Sequence, residues 1–478
     1  MKSFRPYFYS TLQLIVFLLS FILDDTYGVL SIALTSIVLL SLLDKLGKGI
    51  VLRELIAFHG CFTCLIMPLV GYKWYTIDNA LSRLWVSYMK VPADYYFSFT
   101  LPAMALFAVV ISWPASKLNV SDTGAYLNWY INRAKPVLER NSKPGYQILI
   151  VGVACSLVVN SLPSSLLYVG WLMYFGAFAG FLFVYYTPNL PKKKLILWAF
   201  AIYIFGAALA TGMFTIVAYM GMTIFSFLFL GRKTSMLKKV SLFVVAVFAL
   251  LLIQSVKKDY RNVLWAGYEG NKVELFSNLV ADRVTSGVSF FTVDAFFRIY
   301  SRGNQGFNVA LVMKRFPAEK DFDNGSNIWT ALLSSFVPRA LWPDKPFAGG
   351  QFNMEYYTGW KIKGWSTNVG PLGEAYGSFG PTGGIFYMGV LALFIRFAYL
   401  RFIWVSRKFP LLLFWLPALF LQVTYSMETD TLQITNTLVK GAFFLWLIYK
   451  FKPDWFGIKK VNKIRLQRGM SERTATDL

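Results

Sequence analysis

The chain has 478 residues, of which 56% are hydrophobic and only 15% charged, with a mean hydropathy of +0.50. A soluble domain carries about a quarter charged residues, so this composition excludes an ordinary soluble enzyme and points to a polytopic membrane protein. The net charge of +23 would suggest a nucleic-acid partner in a soluble chain. Here Lys and Arg gather at the ends of apolar runs, where membrane orientation accounts for most of them and anionic headgroups or lipid phosphates for the rest.

Taken in order, Lys2 and Arg5 precede the apolar run 7–23. Asp24-Asp25 follow it instead of a small-residue cleavage site, so it is expected as a first span and not a leader. Further spans are expected at 27–43, 50–70, 95–113, 146–159, 164–186, 240–255, 380–400, 411–425 and 432–449. The stretch 195–230 is too long for one crossing of a hydrocarbon core of about 30 Å and is expected to form two short helices turning near Thr211-Gly212. The expectation is an all-α protein of about twelve transmembrane helices. Loops that share one side carry Lys45, Lys48, Arg133, Arg140, Lys192–Lys194 and Lys238-Lys239, whereas the opposite loops are short or acidic, as at Asp24-Asp25 and Glu428/Asp430. Residues 71–94, with Lys73, Arg83 and Lys90, are the exception. This asymmetry puts both termini in the cytoplasm. It divides the chain into an N-terminal bundle (1–255), one large extracytoplasmic loop (256–379), C-terminal helices (380–450) and a basic cytoplasmic tail (451–478).

The large loop is not linker-like. Val273, Phe276, Val280, Val284 and Val288 give 271–300 a helical spacing, and 327–336 reads as a second short helix ended by Pro338. The loop opens with Lys257-Lys258-Asp259-Tyr260-Arg261. Cations on the side that charge bias disfavours need a reason, either an anion to bind or headgroup snorkelling. It closes in the polar stretch 336–384, where Arg339, Lys345, Lys361, Lys363, Asp344, Glu355 and Glu374 stand among Trp, Tyr, Phe, Pro and Gly. Arg suits a phosphate because its planar fork donates two parallel hydrogen bonds. Arg261, Arg339 and Lys345 are therefore candidate diphosphate cations; Arg298, Arg302, Lys314 and Arg315 sit in less distinctive contexts. Glu374, just ahead of the span expected from 380, is either a proton acceptor for an attacking hydroxyl or a structural charge at a helix start.

Other chemistry has little raw material. Asp321-Phe322-Asp323 has the spacing of a metal-binding pair, but Asn324-Gly325 behind it reads as a turn. Cys61 and Cys64 lie in an apolar run, and the single histidine, His59, falls near the cytoplasmic end of the third span as a packed or headgroup-level residue. No metal ligand set, Walker A motif or dinucleotide fingerprint is present.

Val337-Pro338-Arg339-x-x-Trp342-Pro343-x-Lys345-Pro346 and Gly373-Glu374-x-Tyr376-x-x-Phe379-Gly380 resemble the bacterial oligosaccharide repeat-unit polymerases of the O-antigen polymerase type. Gln254-x-Val256-Lys257-x-x-Tyr260-Arg261 does so too, and Arg339 and Gly350 match an arginine–glycine spacing of such polymerases. The resemblance implies an inverting, metal-independent, cofactor-free glycosyltransferase of GT-C-like fold in the bacterial inner membrane. Its donor and acceptor would be oligosaccharides on undecaprenyl diphosphate, with a chain-length regulator and a flippase as partners. Arg261, Arg339 and Lys345 would neutralise the diphosphate, with Lys257, Lys258 and Tyr260 beside them. Glu374 would orient or deprotonate the acceptor with Tyr376 nearby, and Trp342 and Trp365 would stack on sugar faces. The related ligases use an outer-loop histidine as base, which His59 does not match. A lipid-linked oligosaccharide flippase and a ligase-like transferase are the alternatives.

Overall fold

The structure, a computed structural model, describes residues 7–23, 25–115, 124–212, 214–230, 234–285, 293–337, 341–346, 349–362 and 367–458. Among these the chain is helical, with no strand. Among the described residues seven helices are long and apolar enough to cross a membrane: Tyr27–Lys45, Leu52–Trp74, Ala93–Ser112, Leu166–Tyr186, Lys193–Thr211, Met236–Trp265 and Gly370–Ser406. The chain is thus a helical membrane protein. Phe8–Leu19, Lys143–Val158 and Leu412–Thr424 are apolar but shorter. Thr215–Phe229 and Thr431–Phe451 fill the other two expected positions.

Breaks in the helices follow local chemistry. Gly212, at φ 66°, separates Lys193–Thr211 from Thr215–Phe229, a left-handed turn that suits a residue without Cβ. The last long helix starts ten residues earlier than its hydropathy suggests, at Gly370, and breaks at Gly380 (φ 66°, ψ −171°) ahead of Pro381, which has no N–H to donate. Glu374 and Tyr376 therefore sit on a helical segment and not in a loop. Met236–Trp265 likewise runs on past residue 255, so Lys257 to Arg261 are helical. The large loop is itself helical: Lys272–Thr285, Val293–Gly303, Gly306–Arg315, Ser326–Phe336 and Gly350–Thr358.

The chain forms two compact units. One comprises Met1–Leu127, Trp198–Arg401 and Leu419–Lys440; the other comprises Asn128–Leu197, Phe402–Ala418 and Gly441–Leu478. In the second, helices Lys143–Val158 and Ser164–Tyr186 approach closely because Gly152 faces Ala177; a Cβ on Gly152 would lie 2.5 Å from that of Ala177. Small residues at such contacts let backbones meet in lipid, where no hydrophobic drive separates helix from solvent. Trp415 is buried there, stacked on Phe456 at 5.9 Å. In the first unit, Arg53 is buried and donates to the carbonyls of Ile111 (3.2 Å) and Trp113 (2.9 Å), a cation placed at the C-terminal end of Ala93–Ser112.

Candidate functional site: a cation cluster beside a buried carboxylate network

Two polar assemblies lie in the first unit. The first pins down the polar stretch. Glu374 is 1% exposed and accepts three hydrogen bonds: from Asn353 Nδ2 (3.0 Å) on Oε1, and from the Thr431 N–H (2.8 Å) and Oγ1 (2.6 Å) on Oε2. Thr431 opens the helix Thr431–Phe451, so this carboxylate sits at a helix N-terminus, where the dipole favours negative charge. Asp430, also 1% exposed, accepts from the Gln433 N–H (2.5 Å) on Oδ1. Its Oδ2 accepts from Asn368 Nδ2 (2.8 Å) and the Gly349 N–H (3.1 Å). Burial pushes the Asp430 carboxyl above its ordinary range. Gln305 Nε2 (2.6 Å) and Asn308 Nδ2 (2.9 Å) donate to the Asn368 carbonyl and tie the same strand of chain to Gly306–Arg315. Asp430 is thus an interior residue and not part of an exposed acidic loop.

The second assembly is cationic. On the helical extension of Met236–Trp265, Lys257 and Arg261 are four residues apart and share a face, an arrangement that repels. Arg302, from Val293–Gly303, lies within electrostatic range of both. Arg302 Nη2 is 2.7 Å from Glu428 Oε2, and Glu428 Oε1 is 3.1 Å from His59 Nε2. Lys257 also lies within electrostatic range of Glu428. Arg261 donates from Nε to the Gly212 carbonyl (2.7 Å) and lies 4.9 Å from the centroid of the Trp265 ring. Next to them Asp259 pairs with Arg283 (2.7 Å) and Arg298 (3.4 Å). The helix bearing Arg302 is seated by Tyr300, which stacks on Tyr75 at 4.3 Å and donates to the Ser87 carbonyl (3.2 Å). Burial pushes the Tyr300 hydroxyl up to about 12, which keeps it a donor at neutral pH.

The sequence candidates divide between these places. Lys257 and Arg261 come together in the cluster. Lys258 is exposed and lies 5.3 Å from the centroid of the Trp85 ring. Tyr260 turns inward to pack with Leu209, Phe214 and Phe276, its hydroxyl donating to the Leu209 carbonyl (2.7 Å). Tyr376 is buried against Phe99 and Phe322 and bonds the Tyr95 hydroxyl. Glu374 and Tyr376 are core residues in this structure. Trp342 is half-buried; Arg339 and Trp365 lie outside the described residues. Asp323 forms the expected turn, accepting from the Gly325 N–H (2.9 Å) and the Tyr356 hydroxyl (3.0 Å). Burial, reinforced by Asp323, pushes Tyr356 up to about 12, so it stays the donor.

Lys345 is buried and its ammonium donates to the carbonyls of Ser334 (2.8 Å) and Val337 (2.6 Å), at the C-terminal end of Ser326–Phe336. That geometry closes a helix end. Lys345→Met is expected to lower stability by about 1.5–3 kcal/mol, the scale for hydrogen bonds to a charged donor, measured by thermal denaturation in detergent. Unchanged melting with lost activity would return Lys345 to substrate binding.

Sequence reasoning kept Arg302 among the less distinctive cations, read His59 as a packed residue and Glu428 as part of an acidic loop, and did not bring the three together. His59 lies in helix Leu52–Trp74, about 10 Å of helix rise from Leu52. The structure brings the Tyr425–Asp430 segment to it. No local signal marks these three residues, because they come from stretches far apart in sequence.

Fold and site together define a helical membrane protein with an ionisable cluster held within its bundle. No protein-family model, curated protein or solved structure matches the chain.

Proposed function

We propose that the protein is a membrane glycosyltransferase. It joins undecaprenyl-diphosphate-linked oligosaccharide repeat units into a surface polysaccharide, by inverting, metal-independent transfer at the outer face of the bacterial inner membrane. In this reading the bundle has twelve spans in a GT-C-like arrangement and both termini are cytoplasmic. The observation that carries it is the Arg302–Glu428 ion pair, with Lys257 and Arg261, one helical turn apart, both within electrostatic range of Arg302. Like charges gathered in a partly desolvated place are costly unless an anion joins them. A lipid-linked sugar brings that anion as its diphosphate. Cations positioned there stabilise the charge that develops on the leaving diphosphate as the glycosidic carbon is displaced. The sequence resemblance around Lys257 to Arg261 and Val337 to Pro346 supports the same chemistry.

The test is the glycan profile of a deletion strain, by gel and mass spectrometry. A single repeat unit on its final acceptor, without longer chains, is expected. Absence of surface glycan with lipid-linked units trapped on the cytoplasmic side would instead mean a flippase. Within the same strain, Arg339→Ala is expected to abolish the ladder with the protein still in the membrane. Arg339→Lys should restore little of it, since Lys lacks the planar fork. A wild-type ladder from Arg339→Ala removes that residue from the chemistry.

A further inference from the structure

We propose that helix Ser326–Phe336 lies on the lipid surface as an in-plane anchor, with Trp329, Leu333 and Phe336 among the acyl chains at the level where the last long span breaks at Gly380. The occupant of that face is lipid, and the placement holds whatever chemistry the protein performs.

The argument begins with a helix that is turned inside out. Its sequence, SNIWTALLSSF, carries no charge. Trp329, Leu333 and Phe336 are 62%, 60% and 67% exposed, and they recur at i, i+4 and i+7, one stripe of a helix. Ser334 and Ser335 face the other way, buried, with both hydroxyls donating to the Ala331 carbonyl (2.8 and 3.2 Å). A helix bordering water does the reverse, burying its large apolar side chains and exposing its hydroxyls. Turning Trp, Leu and Phe outward is favourable only where an apolar phase meets them. The buried side is also fastened. Asn327 Nδ2 donates to the Tyr357 hydroxyl (3.1 Å), and Lys345 donates to the Ser334 and Val337 carbonyls. The stripe cannot roll inward without breaking these bonds, so whatever covers it comes from outside.

What covers it follows from the neighbouring span. The turn ahead of the helix docks on the break in Gly370–Ser406: the Asp323 N–H donates to the Gly377 carbonyl (3.4 Å), and a Cβ on Gly380 would lie 3.2 Å from the Phe322 ring. A Cβ on Gly325 would lie 2.5 Å from Phe379 Cζ and 3.5 Å from Trp329 Cδ1, so both rings border that turn. Beyond Pro381 the span exposes Phe386, Val390 and Phe397, its own apolar stripe. In a helix long and apolar enough to cross a membrane, such a face meets lipid. Phe386 begins that stripe about 8 Å of helix rise beyond Pro381, so Trp329 stands at the level where the lipid-facing surface begins. Tryptophan favours this boundary, where its ring meets acyl chains and its N–H meets water. A protein partner would call for a polar, hydrogen-bonding rim. The helix offers no charged side chain for one, which favours acyl chains as the occupant.

The experiment uses the full-length chain in lipid nanodiscs. Nitroxide labels are attached to Trp329→Cys, Leu333→Cys and Phe336→Cys in a Cys155→Ser background, since Cys61 and Cys64 are buried. Phe397→Cys serves as the lipid reference and Lys361→Cys, where the native side chain is 73% exposed, as the aqueous one. Collision with oxygen is expected to exceed collision with a water-soluble nickel chelate at all three stripe positions. Their depth should be about 5–10 Å into the boundary of headgroups and acyl chains, shallower than Phe397→Cys. Nickel access equal to that at Lys361→Cys would put the stripe in water and overturn the proposal. Low collision with both reagents would mean that protein covers the stripe, a second copy or another chain, and would overturn it as well. Hydroxyl-radical footprinting of the unsubstituted protein in the same nanodiscs depends on no variant. Trp329 is more exposed than Trp360 in the protein itself, yet it is expected to oxidise more slowly, because lipid shields it. Oxidation of Trp329 at or above the rate of Trp360 overturns the proposal.

Discussion

Glu374→Ala is expected to destabilise the protein strongly without any direct role in transfer. The substitution strips the acceptor from the Asn353 amide, the Thr431 N–H and the Thr431 hydroxyl, all within the core. Each buried donor left without an acceptor costs about 1–3 kcal/mol. One term opposes this: Glu374 and Asp430 lie within electrostatic range, so removing one carboxylate relieves repulsion. With three donors against one like-charge pair, loss of the acceptor wins, and the net cost should be about 3 kcal/mol or more. Thermal denaturation in detergent measures it. Glu374→Gln keeps an acceptor oxygen for the Thr431 pair and removes the charge, so it should melt within about 1.5 kcal/mol of wild type, the value of one neutral hydrogen bond, and still build the glycan ladder. If Glu374→Gln were as stable as wild type yet inactive, the carboxylate would be the proton acceptor that the Gly373-Glu374-x-Tyr376 resemblance implies.

The fold was legible where the bilayer imposes it. Apolar length dictated the helices, and the pairing of Lys193–Thr211 with Thr215–Phe229 around Gly212 followed from a run too long for one crossing. Helix ends were less legible. Hydropathy falls at residue 255, but the backbone hydrogen bonds of Met236–Trp265 continue, carrying Lys257 and Arg261 on a helix face that hydropathy does not see. The start at Gly370 was hidden too: Gly-Pro-Leu-Gly-Glu reads as a turn, yet the segment is helical and Glu374 on it accepts from the Thr431 N–H. The site was half legible. Lys257 and Arg261 stand next to a span with the charge bias against them, which is visible in one dimension. Tyr260 stands between them with the same apparent context, yet its side chain points to Phe214 and Phe276. Which residues of a helix face inward depends on what packs there. His59, Arg302 and Glu428 meet only through the fold, and no spacing rule joins positions that far apart.

Gly350→Ala is the second large expected effect, and it tests how to read the arginine–glycine spacing that ends at this residue. A Cβ on Gly350 would lie 1.5 Å from the Thr367 carbonyl oxygen, 2.5 Å from its carbon and 3.1 Å from the Asn368 Cα. These are backbone atoms and cannot swing aside as the tip of a side chain can. The chain on both sides is also fastened: the Gly349 N–H and Asn368 Nδ2 both bind Asp430 Oδ2, and the Asn368 carbonyl accepts from Gln305 and Asn308. Relieving the clash therefore means pulling Gly350–Thr358 away from residues 367–368 and breaking bonds to a buried carboxylate. Overpacking of a core costs about 1–3 kcal/mol when side chains can adjust. Here the loss of an Asp430 partner adds about 1–3 kcal/mol more. The variant should accumulate poorly or melt well below wild type, and Gly350→Ser should fare no better, since any Cβ meets the same oxygen. A Gly350→Ala protein with wild-type melting but no polymer would mean that this glycine leaves room for substrate. Wild-type melting together with a full ladder would mean that the Thr367 carbonyl does not press on Gly350 at all.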